Sequence, residues 1–220
     1  MTLDALEQFG VKAEYDGART FHVPGNQYYQ HRDLAIEADW SNAAFWYGAV
    51  SLGCQVDIQG LNAYSVQGDM HIVPYFMKLQ GQGAVDLDVS QCPDLVPPLA
   101  AMAALRAGET TRIVNAGRLR IKECDRLAAM TSELNKLGAA VTELPDGLLI
   151  KGRPEGLRGG CVDAWNDHRI AMSLAVASLV CREAVIVSGS ECVQKSYPEF
   201  WQDFAALGGN IETVGMGEGV

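Results

Sequence analysis

A chain of 220 residues with 48% hydrophobic and 20% charged side chains can bury one sizeable core or two small ones, which excludes extended disorder. Its formal net charge of −10 argues against nucleic acid or an anionic membrane as the main partner, so any anion site must be locally basic. Six scattered cysteines with no C-x-x-C pair disfavour a zinc site and a disulfide framework and point to reduced thiols in a cytoplasmic protein. No apolar run reaches the roughly 18 residues of a membrane span, and the acidic start reads as neither signal nor transit peptide.

Residues 1–33 read as one helix closing on Gly10, strands over 11–15 and 20–23, and a polar, aromatic crossover at 25–33. A lone helix and hairpin cannot bury their own apolar face, so this segment reads as the remnant of a preceding domain's last repeat. The chain is then expected to be part of a longer protein. Residues 34–213 form the main domain and 214–220 a flexible tail.

Within the main domain an internal repeat dictates the architecture. Helices over 43–52, 95–105 and 170–180 are hydrophobic all round and should be buried; they open at Asp39, at Pro93-Asp94 and at Asp167-His168-Arg169. Each runs into a strand rich in β-branched residues, at 56–59, 110–114 and 184–188. A polar loop and a second helix follow, closing at Gly81, Gly138 and Gly208, with Glu133, Lys136, Gln202 and Asp203 on a wet face. Further strands begin near Val85, Val141 and Ile211. The order buried helix, strand, loop, wet helix, strand, strand, three times over, predicts an α/β fold of the α+β type: three βαβαββ-type repeats with buried helices and mixed sheets.

The run Arg120-Ile121-Lys122-Glu123-Cys124-Asp125-Arg126 sets three cations and two anions at or inside the first turn of the helix that ends at Gly138. Free backbone N–H groups and the positive end of the dipole attract phosphate or carboxylate there, and a solvated helix start with ordinary charge pairs is the alternative. The repeat favours a site, because equivalent loops carry Gln67-Gly68-Asp69 and Lys195-Ser196-Tyr197-Pro198. Up to six helix N-termini then converge on one face, each worth about 0.3–1 kcal/mol to an anion. Lys122, Arg126, Arg169 and Lys195 add charge suited to a doubly anionic ligand. Against this, Asp39, Asp94 and Asp167 can be simple N-caps, His168 a buried partner of Asp167, and Trp40, Trp46 and Trp201 core residues. Cys124, in a cationic helix start, could carry a lowered pKa.

Together the Arg120–Arg126 run, Pro93-Asp94, Asp167-His168-Arg169-Ile170-Ala171-Met172 and Lys195-Ser196-Tyr197-Pro198 resemble the EPSP synthase (3-phosphoshikimate 1-carboxyvinyltransferase) family across the whole chain, but only its C-terminal half. The resemblance implies a two-domain enzyme with the active site in the cleft between domains. It would transfer the enolpyruvyl group of phosphoenolpyruvate to the 5-hydroxyl of shikimate 3-phosphate, in the route to chorismate and the aromatic amino acids, with no metal or other cofactor. It assigns Asp94 and Glu123 as catalytic carboxylates. Asp94, Arg118 and Lys122 would bind shikimate 3-phosphate, and Glu123, Arg126, His168, Arg169 and Lys195 phosphoenolpyruvate. Arg118 departs from the family pattern, where an asparagine contacts the shikimate. Expected partners are these two small anions and the missing N-terminal domain, not nucleic acid or membrane, and the full enzyme is expected to be monomeric. Alone, the half is expected to turn nothing over and to self-associate weakly through an uncovered apolar flank. Two other readings stand beside this one: the sister transferase acting on a UDP-amino sugar, and a non-catalytic domain binding small anions or a partner chain.

Overall fold

The computed structural model describes residues 1–214, so the expected tail lies outside the described residues except for Val214. The chain opens with α1 (Thr2–Gln8) and a two-stranded antiparallel hairpin, β1 (Glu14–Tyr15) with β2 (Phe21–His22). Among residues 1–33 only Val11 is buried, and Tyr15 stacks on Phe21 at the surface with 4.6 Å between rings. Tyr28, Tyr29 and Ile36 are exposed, an apolar flank of the kind the sequence predicted.

The core is built on three helices: α2 (Trp40–Ser51), α4 (Val96–Ala104) and α6 (His168–Ser178). Each packs on the other two. Every residue of α4 is buried, as an apolar helix with no polar face requires. Trp40 and Trp46 are core residues, and Trp201 is half-buried against Phe200 and Phe204.

Around this triangle lie the second-type helices, α3 (Ile72–Gln80), α5 (Arg126–Lys136) and α7 (Phe200–Ala206). One sheet has the order β3 (Val85–Asp88), β4 (Thr110–Val114), β6 (Gly147–Lys151), β5 (Ala140–Leu144); β3 runs parallel to β4, and the remaining pairs are antiparallel. A second sheet holds only the parallel pair β7 (Gly160–Asp163) and β8 (Val185–Ser188). The helices and mixed sheets make the α+β fold expected. The middle repeat, β3-α4-β4-α5-β5-β6, is complete.

The other repeats are not. Four residues separate α3 from β3, too few for the second strand expected in the first copy. Residues 56–59 and the stretch at Ile211 are not strands: among the described residues no neighbour completes a ladder beside them, and β-branched composition cannot replace a partner for backbone N–H and C=O groups. Val56 and Ile58 instead wall an open cavity of about 440 Å³ with Trp46, Tyr197 and Leu207.

The short link from α3 to β3 is held by Arg106, buried beyond the end of α4. Its Nε donates to the Leu79 carbonyl at 2.9 Å, Nη2 to those of Gly81 and Gly83 at 2.9 Å each, and Nη1 to Thr111 Oγ1 at 2.8 Å. The backbone crosses so closely here that a Cβ on Gly152 would stand 1.6 Å from the Arg106 carbonyl oxygen. Arg106→Met removes this donor from four carbonyls, that of Thr110 at 3.3 Å included, and should cost about 3 kcal/mol, roughly 6–12 °C in Tm. Differential scanning calorimetry checks this; a loss below about 1 kcal/mol would show that the clamp does not hold the link.

Candidate functional site

Helix α5 begins at Arg126, so of the charged run only Arg126 lies in its first turn and Lys122 to Asp125 precede it. Asp125 is its N-cap and accepts from the backbone N–H groups of Leu127 and Ala128 at 3.2 and 3.1 Å. Asp39 accepts from Ser41 N at 2.8 Å and Asp167 from Arg169 N at 2.9 Å, capping α2 and α6 likewise. The expectation that free helix N–H groups form the anion sink is corrected for these three of the six helix starts, where a short carboxylate one residue upstream already occupies those donors; the starts at Asp94, Asp69 and Lys195 carry no side-chain cap.

The run Arg120–Arg126 divides in two. Arg120 turns away, donating to Asp125 at 2.8 Å, Glu143 at 2.7 Å and the Leu144 carbonyl at 2.9 Å, and fastens the loop to the β5–β6 turn. Lys122, Glu123 and Arg126 turn inward, where the starts of the buried helices meet.

Arg126 is 1% exposed and bonds to carboxylates on three sides. Nε donates to Asp167 Oδ2 at 2.7 Å, Nη1 to Asp94 Oδ1 at 2.8 Å and Nη2 to Glu123 Oε2 at 2.8 Å. Asp94, in the 3-10 turn Pro93–Leu95 that leads into α4, also lies 3.3 Å from Lys122 Nζ and 3.5 Å from Arg169 Nη2. Arg169 reaches across to Ser41 Oγ on α2 at 3.3 Å, while its Nη1 is buried with no partner among the described residues. Lys195, exposed on the 3-10 turn Ser190–Lys195, donates to Glu123 Oε1 at 2.9 Å. Four cations from four elements thus converge on Asp94, Glu123 and Asp167. Arg118 is exposed on the 3-10 turn Gly117–Ile121, and none of the cluster's ion pairs includes it.

The charges settle the protonation states. Burial raises the Asp94 carboxyl, but Arg169, Arg126 and Lys122 outweigh it and hold the group below its ordinary range. Burial also opposes ionisation of Glu123, yet the Lys195 hydrogen bond and the Arg126 charge bring it down to about 2. His168 is buried, its Nδ1 3.9 Å from Asp167 Oδ1 and without a partner; burial and the Arg169 charge lower its pKa, so the ring is neutral. Cys124 does not carry the lowered pKa its cationic surroundings allowed: burial and Asp167, 3.6 Å away, push it up to about 12.

Two residues of this region were given no place in the site from sequence, although Asp69 lay in one of the aligned loops. Glu133, assigned to a wet face, is fully buried; it stands two helical turns after Arg126 and so shares its inward face, a signal the charge of the side chain masked. Asp69 comes from the loop equivalent to Lys122 and Lys195. It is brought inward because Gly68 packs where a Cβ would lie 2.6 Å from the Gln91 carbonyl oxygen. The corner before α6 is also unusual: Trp165 and Asn166 have φ of 53° and 52°, a left-handed backbone costing roughly 1–2 kcal/mol per residue.

Burial pushes Asp69 up from 3.8 to about 6, with Asp94 and Asp39 adding repulsion and Arg169 and Lys122 opposing it. A carboxyl with a raised folded pKa binds its proton more readily folded than unfolded, so its contribution to stability falls as pH rises from 3.8 to about 6. Asp69→Asn should match the parent at pH 4 and exceed it by about 1–2 kcal/mol at pH 7.5, discounted for partial solvation. Denaturant unfolding at both pH values measures the difference; an equal gain at both would contradict the assignment.

The family profile of EPSP synthase (3-phosphoshikimate 1-carboxyvinyltransferase) matches residues 1–85 and 77–204, and the two matches meet where α3 passes straight into β3. The 3-phosphoshikimate 1-carboxyvinyltransferases of Clostridium acetobutylicum and Clostridium kluyveri are 49% and 47% identical, each over 99% of this chain and 54% of its own. An EPSP synthase structure from Acinetobacter baumannii superposes with a TM-score of 0.83 at 22% identity, covering 94% of this chain and 54% of that one. The enolpyruvyl transferase NikO from Streptomyces tendae gives 0.65 at 20% identity over 95% of this chain and 52% of that one. These two show the fold. The chain spans about half the length of the curated relatives it matches, and with the profile covering most of its residues it belongs to the EPSP synthase family.

Proposed function

We propose that this chain supplies one wall of an enolpyruvyl-transfer site, joining phosphoenolpyruvate to the 5-hydroxyl of shikimate 3-phosphate with release of phosphate. The observation that carries the reading is the Arg169 guanidinium, which touches Asp94 while a buried Nη1 has no partner, beside Lys122 and Lys195 at the open edge. A buried donor without an acceptor is costly, and a phosphate or carboxylate oxygen satisfies it.

In this reading Lys122 and Asp94 face the shikimate phosphate and ring, with Arg118 at the margin. Lys195, Arg169 and Arg126 face phosphoenolpyruvate, with neutral His168 beside them. Asp94, ionised by its three cations, accepts the proton of the 5-hydroxyl as that oxygen bonds to C2 of phosphoenolpyruvate. A proton from Glu123 enters the methylene carbon in the same addition. The tetrahedral adduct then expels phosphate as that carbon returns a proton, which restores the double bond. Glu123 is held ionised in the ligand-free chain by Lys195 and Arg126. A ligand anion that draws those cations to itself raises the Glu123 pKa and lets it carry the proton. Arg126 therefore serves first as the support of both carboxylates, and it reaches the ligand as Glu123 lets go.

The relatives' additional length supports a site shared with a second domain, and the exposed flank at Tyr28, Tyr29 and Ile36 is where we place that contact. Residues 1–33 are then the tail of that domain and 34–213 the transferase half, acting in the cytoplasm. Among the described residues no helix is long and apolar enough to cross a membrane.

Titration calorimetry with each ligand tests the assignment. Lys122→Met should weaken shikimate 3-phosphate about 10- to 100-fold and leave phosphoenolpyruvate nearly unchanged, whereas Lys195→Met should do the reverse. Indifference of both ligands to both variants would overturn it. Steady phosphate release by the chain alone would overturn the claim that the wall is only half a site.

A further inference from the structure

Glu133 has no place in the chemistry just described, yet it is a fully buried carboxylate bonded on every side. It accepts from Ser132 Oγ at 2.9 Å, from Lys136 Nζ at 2.9 and 2.8 Å, from the backbone N–H of Asp163 at 2.8 Å and from Trp165 Nε1 at 3.0 Å. The last two belong to the corner between β7 and α6. That corner is tied to the sheet by Ala164 N donating to the Ser188 carbonyl at 2.9 Å, and it closes with Asp167 N donating to the Ala164 carbonyl at 2.9 Å.

Arg126 and Glu133 stand seven residues apart on α5, on one face and about 10 Å apart along the axis. Arg126 grips Asp167, and Glu133 grips Asp163 and Trp165. One rigid helix therefore holds both ends of a five-residue corner whose middle, Trp165 and Asn166, is left-handed without glycine. Such a backbone persists only where its surroundings over-determine it. The residues it delivers are Asp167, His168 and Arg169.

We infer that Glu133 is a positioning residue: through Asp163 and Trp165 it fixes the left-handed corner that sets Asp167, His168 and Arg169 in the cluster. The inference rests on the reading of that cluster as an anion-binding wall, but its test does not. The Arg169 amide, bonded to Asp167 Oδ1 at 2.9 Å, reports whether the corner holds its place, and the Met130 amide in mid-α5 reports the stability of the core. Amide exchange by NMR is compared in the full chain, in Glu133→Gln, in Trp165→Phe and in Leu134→Ala, which loosens the same helix without touching the corner.

Glu133→Gln should speed exchange at Arg169 about tenfold more than at Met130, whereas Leu134→Ala should speed both alike. Equal acceleration at both amides in Glu133→Gln would reduce Glu133 to a structural residue and overturn the inference. Should that variant fail to fold, Trp165→Phe, which deletes a single donor, carries the same comparison. Phosphoenolpyruvate titration separates the two claims. Parent chain that binds it, with affinity about tenfold lower in Glu133→Gln, supports both. A parent chain that takes none overturns the anion wall while the amide comparison still decides Glu133.

Discussion

A guanidinium removed from water must find an acceptor for each face it presents, and Arg126 finds three carboxylates on three parts of the chain. Asp94 comes from the turn into α4, Asp167 from the cap of α6, and Glu123 from the loop ahead of α5. Meeting those contacts fixes the starts of α4, α5 and α6 against one another, and the Arg169 link to Ser41 ties in α2. Removing one partner of such a buried set strands a charge and costs about 3–5 kcal/mol, whereas a well-packed apolar replacement of the whole set can be neutral. The network is thus poorly explained as a source of stability and well explained as a device for placing charges.

That placement reconciles a chain of net charge −10 with the anionic ligand we propose for it. In the ligand-free state Lys122 and Arg169 pair with Asp94 and Lys195 with Glu123, and with Arg126 and Asp167 the cluster sets four cations against three carboxylates, close to balance. In the proposed reading an incoming phosphate or carboxylate would exchange with those carboxylates and release the groups whose proton affinity must change for addition and elimination. The starts of α2, α5 and α6 do not compete for it, because Asp39, Asp125 and Asp167 occupy their terminal N–H groups.

What was legible in the sequence is what depends on local pattern. All-round apolar helices such as α4, the glycine stops and the aligned loops at Asp69, Lys122 and Lys195 led to the buried triangle and to the cluster at its end. Features that depend on a remote neighbour were not. Residues 56–59 have strand composition but no partner among the described residues. Glu133 looks like a solvated glutamate until Asp163 and Trp165, some thirty residues on, are folded over it. Arg126 reads equally well as a ligand for substrate or for carboxylates, and only the three-dimensional positions of Asp94 and Asp167 decide what it holds without ligand.

The most direct test of this account is the Nε–H exchange of the arginine side chains, followed by nitrogen-15 NMR in the ligand-free chain and again on addition of phosphoenolpyruvate. Bonded at 2.7 Å to a carboxylate that is itself fully buried, the Arg126 Nε–H should exchange at least about a hundredfold more slowly than that of exposed Arg118, and it should stay slow with ligand while the Arg169 signal shifts. An Arg126 Nε–H that exchanges as fast as Arg118, or that alone responds to the ligand, would contradict it.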